Sequence, residues 1–260
     1  MREVNDSMLS MNCQALRDKF VTDGYVVLPG CIAGRQLEHL LTKIKHFIRD
    51  VIPAMPSEKV FFEERGRPET LKQLQSLHVY DDYFAELFLK GSFPALAAEL
   101  LGDRVVPSNI QYFNKPPGVS QPTPAHQDGY YFKLDPCEAL TMWLALDVVN
   151  EENGCLRYVR GSHRRGMRPH GRTGTLGFSQ GITDFPQEED RTNERPVSVQ
   201  PGDVIVHHAM TIHRADTNRS SRSRRALGLI YYAASARENK LVKDAYHAEL
   251  FEELAKAGRI

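Results

Sequence analysis

The first third of the chain carries apolar residues at the spacing of amphipathic helices. Within residues 34–51, they recur every three or four positions, at Leu37, Leu40, Leu41, Ile44 and Ile48. This spacing places them on one helical face. A second pattern predicts a short amphipathic segment from Leu16, which Gly24 ends before a strand at 25–28. A third predicts a helix over 81–101 that Pro94 interrupts.

From residue 105 onward the pattern changes to short β-rich runs separated by glycine- and proline-containing turns. The runs cover 105–114, 139–149, 155–159, 197–199, 204–208 and 226–233. Such an arrangement indicates a sandwich or barrel and not a parallel sheet with crossover helices. Segment 165–195 is polar and glycine-rich, and it predicts a lid, a binding loop or disorder. An amphipathic helix is expected over 244–257.

The chain shows no internal repeat and no linker long enough to divide it. Its 260 residues, 41% of them hydrophobic, can build a sizeable core. We therefore predict one domain over 1–260. It would consist of a mostly helical buttress at approximately 1–104, a barrel core at 105–235 and a C-terminal helical segment at 236–260.

Charge and composition exclude several classes of protein. Lys+Arg 33 balances Asp+Glu 33, which argues against nucleic acid as a partner because such proteins carry a basic excess. No apolar run reaches the roughly 18 residues of a membrane span. The N-terminus lacks a secretory pattern. The cysteines show no CxxC spacing and are interpreted as isolated thiols of a cytoplasmic protein, at Cys13, Cys31, Cys137 and Cys155.

The candidate chemistry begins in the string PAHQDGYYF, residues 124–132. If residues 125–132 are extended, His126 and Asp128 project from the same face, because side chains alternate along a strand. Two histidines and one carboxylate, with open coordination positions, form the facial triad of non-haem Fe(II) oxygenases. The string VIVHHAMTIHRADTN at 204–218 offers three further histidines, His207, His208 and His213.

Around these residues the chain resembles the phytanoyl-CoA dioxygenase (PhyH) family of Fe(II)/2-oxoglutarate-dependent oxygenases. The resemblance rests on the order of seven strings: FVTDGYVVLPG, NKPPG, HQD, TMWLALD, ENGCLRYVRGSH, PGDVIVHH and HRADTNRSSRSRRAL. It implies a mainly β fold with flanking helices. This fold is a double-stranded β-helix, a jelly-roll or cupin-like barrel buttressed by the N-terminal helices.

The resemblance also implies a metal centre in which His126, Asp128 and His213 hold Fe(II), with 2-oxoglutarate and O2 as cosubstrates. His213 is preferred to His208 because it begins the string His-x4-Asn that precedes the family's arginine. His207 and His208 are interpreted as core or wall histidines.

The family's arginine lies eleven residues beyond the distal histidine, which implies Arg224. A guanidinium matches the distal carboxylate of 2-oxoglutarate with two parallel hydrogen bonds. On the predicted strand, Arg224 shares a face with the small residues Ala226 and Gly228, which would leave room for a ligand. Its neighbour Arg225 shares the other face with leucines.

Five further positions follow the family pattern. Trp143, Thr141 and Gln111 are expected to contact the cosubstrate, although a lone tryptophan fits core packing nearly as well. Tyr130 and Tyr131 are expected to reach the substrate or the pocket mouth, or else to pack under the 165–195 segment.

The resemblance implies hydroxylation of a small-molecule substrate with release of succinate and CO2. Related halogenases carry a small residue at the carboxylate position, whereas Asp128 is present here. Two other interpretations remain: a cupin-like Zn or Mn protein, and a non-catalytic binding protein. The basic residues Arg164, Arg165, Arg168 and Arg172 suggest an anionic substrate, but a solvated loop is the preferred explanation.

Overall fold

The computed structural model describes residues 13–175, 177, 179–256 and 258. The helices are α1 (Cys13–Asp23), α2 (Gly34–His46, continued by a π-helical turn over Phe47–Val51), α3 (Leu77–Tyr80), α4 (Asp82–Leu89), α5 (Ser92–Leu101), α6 (Gly129–Phe132), α7 (Glu188–Asn193) and α8 (Lys240–Lys256). None of the helices in these ranges combines the length and the apolar character that a membrane crossing requires.

The strands fall into two main sheets and two small ribbons. In chain order they are β1 (Tyr25–Leu28), β2 (Val60–Phe62), β3 (Leu71–Leu74), β4 (Val105–Lys115), β5 (Thr123–His126), β6 (Leu134–Asp135), β7 (Ala139–Ala145), β8 (Leu156–Val159), β9 (His170–Arg172), β10 (Gln180–Ile182), β11 (Glu194–Val197), β12 (Val204–His208), β13 (His213–Ala215), β14 (Arg224–Ala233) and β15 (Arg237–Glu238). A seven-stranded sheet has the order β1-β12-β7-β14-β4-β3-β2, and a four-stranded sheet has the order β11-β8-β13-β5.

The two main sheets pack face to face and form a double-stranded β-helix, as predicted. Their shared core contains Trp143 and Ile205 from the larger sheet against Leu156 and Tyr158 from the smaller one. All neighbouring strands are antiparallel. The barrel therefore closes around side chains that alternate inward along each strand.

The helices cover the outer face of the seven-stranded sheet. Alternate residues of β7, β12 and β14 join one apolar core with α1, α2, α4 and α5, and the strand members are Leu140, Met142, Leu144, Val204, Val206, Leu227, Leu229 and Tyr231. Because the side-chain period of a strand is two, the intervening residues face the barrel.

The structure differs from the sequence prediction in three elements. Besides the predicted strand β1, the first third contributes β2 and β3 to the large sheet; β2 and β3 are too short to show a clear alternation. The 81–101 helix is two helices that meet at Gly91, which has a φ of 81°. Pro94 lies in the first turn of α5, where a missing N–H leaves no carbonyl unpaired.

Segment 165–195 is not a structureless loop. It contains β9, β10 and α7, and its arginines Arg165, Arg168 and Arg172 form ion pairs with acids. Arg165 contacts Glu189, and Arg168 contacts Asp184 and the buried Asp190. These ion pairs satisfy the arginines without a ligand, so they lend no support to an anionic substrate.

Candidate metal centre

His126 is the last residue of β5, and the chain turns immediately after it. Asp128 has helical backbone angles, φ −55° and ψ −35°, and precedes α6. Residues 125–132 are therefore not one extended strand, and the condition under which strand alternation would place His126 and Asp128 on one face is not met. A residue larger than glycine at 129 would crowd this turn, because its Cβ would lie 2.4 Å from the Sγ of Cys137. His126 and Asp128 converge through this turn and not through strand alternation.

The structure brings the three expected ligands together. Nε2 of His126 lies 3.3 Å from Oδ1 of Asp128, and Nε2 of His213 lies 3.6 Å from the same oxygen. His213 pairs directly opposite His126 across the β13–β5 ladder. One ligand atom from each residue lies within 4.8 Å of the others, so the cluster could hold a metal ion.

Backbone carbonyls set the tautomers of both histidines. Nδ1 of His126 donates to the carbonyl of Pro124 at 2.8 Å, and Nδ1 of His213 donates to the carbonyl of Thr211 at 2.9 Å. A neutral imidazole that donates through Nδ1 keeps its lone pair on Nε2. Both lone pairs are thus available on the side where Asp128 lies, in the arrangement that metal-binding histidines commonly show.

The charges of the cluster suit a divalent cation. Burial lowers the pKa of His213 well below its usual value, and the neighbouring imidazoles lower it further. Burial alone would raise the pKa of Asp128, but the nearby imidazoles of His213, His126 and His207 outweigh it and hold that pKa well below its usual range. A neutral imidazole and an ionised carboxylate are the forms that bind metals.

The other two histidines of segment 204–218 have different places. His208 points away from the centre, with Nε2 3.3 Å from Glu138 and its ring near Phe20. His207 is a buried wall residue, but its Nε2 lies 3.1 Å from Oδ2 of Asp128. Sequence reasoning missed this contact. The register of His207 opposite Thr141 is the feature that reveals it.

Thr141, expected to contact the cosubstrate, donates its hydroxyl hydrogen bond to Oδ2 of Asp128 at 2.7 Å. Trp143 lies two residues away on the same face of β7, which is about 7 Å along the strand. The Cζ atom of Arg224 lies 5.1 Å from the centroid of the Trp143 ring. Thr141 and Trp143 thus connect the metal cluster to the guanidinium.

Arg224 is buried, with 4% of its surface exposed. Its Nε has no hydrogen-bond partner among the described residues. Burial lowers its pKa to about 10. Lys115, its partner in the β14–β4 register, is buried as well and donates to the carbonyl of Gln121. Burial and the nearby Arg224 lower the pKa of Lys115 well below its usual value. Within the described ranges, neither side chain forms an ion pair with a carboxylate, so Arg224 carries the positive charge of this end of the barrel.

Arg225 has the opposite surroundings. Its Nε and Nη2 donate to the carboxylate of Asp147 at 2.9 and 2.6 Å. This bidentate pair satisfies the guanidinium. Of the two adjacent arginines, only Arg224 is left without an anionic partner among the residues described.

The small residue Gly228 was expected to leave room for a ligand beside Arg224, but a side chain occupies that room. A Cβ on Gly228 would lie 2.7 Å from the ring of Phe113, so that ring fills the room that the glycine leaves. Gln111 pairs opposite Gly228 and accepts a hydrogen bond from Gln73 at 2.9 Å. Gln73 lies on β3, a strand that the sequence did not reveal.

Tyr130 and Tyr131 lie on α6, next to the cluster and under segment 165–195. The ring of Tyr131 lies 6.0 Å from that of His126, and its hydroxyl donates to the carbonyl of Gln180. The ring of Tyr130 stacks on His170 at 4.4 Å. Both tyrosines therefore join the metal-centre region to the segment above it.

Comparisons with known proteins agree with this geometry. The family model described as Phytanoyl-CoA dioxygenase (PhyH) matches residues 20–226. The chain is 25% identical over 223 residues to a probable alpha-ketoglutarate-dependent hypophosphite dioxygenase of Stutzerimonas stutzeri, covering 84% of this chain and 78% of the relative. It is 30% identical over 188 residues to a phytanoyl-CoA dioxygenase of Arabidopsis thaliana, covering 66% and 65%.

A solved structure with a similar fold is the non-haem alpha ketoglutarate-dependent carbocyclase SnoK of nogalamycin biosynthesis. The TM-score is 0.72 at 23% identity, with 93% of this chain and 91% of that chain covered. At this identity the likeness shows the fold alone. Since the family match spans most of the sequence and includes the three clustered ligands and Arg224, the chain belongs to the phytanoyl-CoA dioxygenase (PhyH) family.

Proposed function

We propose that the protein is an Fe(II)- and 2-oxoglutarate-dependent dioxygenase that hydroxylates a small-molecule substrate. The observation that carries the proposal is the buried guanidinium of Arg224, which has no anionic partner among the described residues. It lies inside the same barrel as the cluster of two histidines and one carboxylate. An unpaired buried charge is costly. An anionic ligand that extends from the metal to Arg224 would offset this cost.

The donor set fits a ferrous ion. His126 and His213 offer neutral imidazole nitrogens and Asp128 one carboxylate oxygen, the combination typical of non-haem Fe(II) oxygenases. When bound, iron and 2-oxoglutarate supply the oxygen chemistry: one atom of O2 enters the substrate C–H bond, and the other enters succinate as CO2 is released.

Arg224 would bind the distal carboxylate of 2-oxoglutarate. Its Nε has no hydrogen-bond partner among the described residues, its guanidinium lies against Trp143, and its backbone is held in register with Lys115. A planar fork of donors matches a carboxylate better than an ammonium does. Trp143 would support the guanidinium from one side, and Gln111 lies on the neighbouring strand of the same barrel face.

Thr141 has a more specific assignment than the sequence allowed. Because its hydroxyl is donated to Asp128, we propose that it orients the metal-binding carboxylate, whether or not it also touches the cosubstrate. Tyr130 and Tyr131 would form part of the substrate pocket and exclude water, since both lie between the cluster and β9–β10.

The proposal is tested with apoprotein reconstituted separately with Fe(II), Zn(II) and Mn(II). Each form is incubated with 2-oxoglutarate, O2 and pools of small molecules, and succinate and oxygenated products are measured. We expect succinate coupled to a product carrying one added oxygen, with Fe(II) only. Binding of pool compounds without turnover by any metal form would favour a binding protein. Turnover or tight binding restricted to Zn(II) or Mn(II) would favour the cupin-like alternative.

A further inference from the structure

The two oxygens of Asp128 have different surroundings. Oδ1 faces Nε2 of His126 and of His213, at 3.3 and 3.6 Å. Oδ2 lies on the other side and accepts a hydrogen bond from Thr141 at 2.7 Å. It is also 3.1 Å from Nε2 of His207. One oxygen thus points to the metal position, and the other is held by the barrel wall.

The direction of the hydrogen bonds around His207 follows from its partners. A carboxylate only accepts, so Nε2 of His207 must carry the hydrogen that faces Asp128. In the neutral ring Nδ1 is then an acceptor, and it lies 3.0 Å from the hydroxyl of Tyr158. Tyr158 therefore donates to His207, and His207 donates to Asp128.

His207, Thr141 and Tyr158 occupy paired strand positions in the two main sheets. His207 on β12 pairs opposite Thr141 on β7, and Tyr158 on β8 pairs opposite His213 on β13. The ring of Tyr158 is fully buried and stacks on Tyr25 at a centroid distance of 4.6 Å. A histidine fixed from both ends in this way can hold a carboxylate in one orientation.

We propose that His207 is a positioning residue that acts with Thr141 to occupy Oδ2 of Asp128, so that the carboxylate offers the metal Oδ1 alone. The inference rests on the proposed function. If both carboxylate oxygens bound the metal, they would occupy one more coordination position, and fewer would remain for the cosubstrate and O2. Outer partners of this kind orient metal ligands and tune the metal's affinity.

His207 is not assigned as a fourth ligand. Its Nε2 hydrogen is directed at Asp128, and its Nδ1 is directed at Tyr158. Neither nitrogen has a lone pair free for the metal. The cluster of possible ligands in the described residues accordingly contains His126, Asp128 and His213 without His207.

The test measures metal binding to the full-length apoprotein with Co(II) alone, by calorimetry and by the visible ligand-field spectrum. His207→Phe keeps a ring but removes the donor, whereas His207→Gln retains an N–H donor. His78→Phe is the matched control, since His78 packs on Phe88 in the helix layer. We expect His207→Phe to weaken Co(II) binding by about 10- to 100-fold and to change the spectrum. We expect His207→Gln to preserve the wild-type spectrum and most of the affinity, and His78→Phe to match wild type.

Two results would separate failure of this inference from failure of the proposed function. If wild type and Asp128→Ala bind Co(II) equally, the metal centre itself is wrong. If binding needs Asp128 but His207→Phe keeps wild-type affinity and spectrum, only the role of His207 is overturned. Should His207→Phe not fold, Tyr158→Phe serves instead. This variant removes the hydroxyl that donates to Nδ1 of His207, so the hydrogen is no longer held on Nε2. We expect it to bind Co(II) more weakly than wild type. Equal binding would overturn the inference.

Discussion

The two faces of the seven-stranded sheet are built from the same strands but have different chemistry. The helix-covered face of β7, β12 and β14 is mainly apolar. Its polar groups are the Tyr231 hydroxyl, which donates to the carbonyl of Phe88, and two side chains at strand ends, His208 beside Phe20 and Arg225 paired with Asp147. The barrel face of the same strands carries the polar and charged side chains Thr141, Trp143, His207 and Arg224. Successive residues thus serve stability and chemistry in alternation.

The difference between the faces is energetic. Each buried aliphatic side chain on the helix face contributes on the order of 1.5–3 kcal/mol by leaving water. On the barrel face, Arg224 is buried with an unsatisfied Nε, and such a group destabilises the folded chain. The preformed anion site on the barrel face therefore lowers the stability of the folded chain. Truncating an apolar residue on the helix face should lower the free energy of unfolding, whereas removing Arg224 from the barrel face should raise it and weaken anion binding.

The largest effect is expected from Asp128→Ala on the barrel side. Removing a metal ligand should lower Fe(II) affinity and coupled succinate formation by more than the roughly 10- to 100-fold that loss of an outer partner costs. The far-ultraviolet circular dichroism should stay that of wild type, because the cluster lies outside the apolar core. Normal turnover by this variant would remove the metal assignment.

On the helix face, Leu144→Ala should act on stability and not on the cosubstrate. Leu144 is fully buried against the helix layer, and a cavity there should lower the free energy of unfolding by about 2–5 kcal/mol. Urea denaturation measures this loss. The KM for 2-oxoglutarate, assayed well below the melting temperature, should stay that of wild type; a large rise in KM would erase the distinction between the faces.

The adjacent arginines give the sharpest contrast. Arg224→Met should weaken 2-oxoglutarate binding by roughly 10- to 150-fold, which corresponds to the loss of about 1.5–3 kcal/mol of charge-assisted hydrogen bonding. It should also raise the unfolding free energy of the apoprotein, because the burial cost of the cation exceeds the roughly 0.5–2 kcal/mol of its contact with Trp143. Calorimetric titration and urea denaturation measure the two effects.

Arg225→Met is the matched control for that pair. It breaks the bidentate contact with Asp147, so it should destabilise the apoprotein and leave 2-oxoglutarate affinity nearly unchanged. Equal weakening of 2-oxoglutarate binding by both arginine variants would contradict the assignment of Arg224 alone to the cosubstrate.

The smallest effect expected is a pH dependence of the Arg224→Met stability gain. Burial lowers the pKa of Arg224 to about 10, well below that of an arginine in the unfolded chain. Above pH 10 the folded wild type loses this proton while the unfolded chain keeps it, so wild-type stability rises relative to the variant. The difference in unfolding free energy between the two apoproteins should be largest below pH 10 and shrink above it. A difference that did not vary between pH 8 and 11 would contradict an ionised, unpaired guanidinium.

The sequence predicted the features that depend on periodicity. The helix face of α2 follows from apolar spacing, because one-sided burial imposes a regular pattern. The strands β7, β12 and β14 are buried on both faces and follow from short β-rich runs between turn residues. The candidate ligands and Arg224 came from the family resemblance. Their convergence needed the structure, since the His126–Asp128 geometry depends on a turn at Gly129 that local spacing does not show.

Other features could not be predicted because they depend on long-range register. His207 touches Asp128 only because β12 pairs with β7 at Thr141. Gln73 reaches Gln111 only because β3 joins the edge of β4. Arg165 and Arg168 form ion pairs with acids about 20 residues away, Glu189 and Asp190. No local pattern reveals such partners.

The most direct test of the central claim is an anaerobic calorimetric titration of 2-oxoglutarate into the Fe(II)-loaded protein, with wild type, Asp128→Ala, Arg224→Met and Arg225→Met side by side. We expect one ferrous ion and one 2-oxoglutarate per chain in wild type and Arg225→Met, much weaker 2-oxoglutarate binding in Arg224→Met, and loss of iron in Asp128→Ala. Equal 2-oxoglutarate affinity in Arg224→Met and wild type, or iron retained without Asp128, would contradict the account.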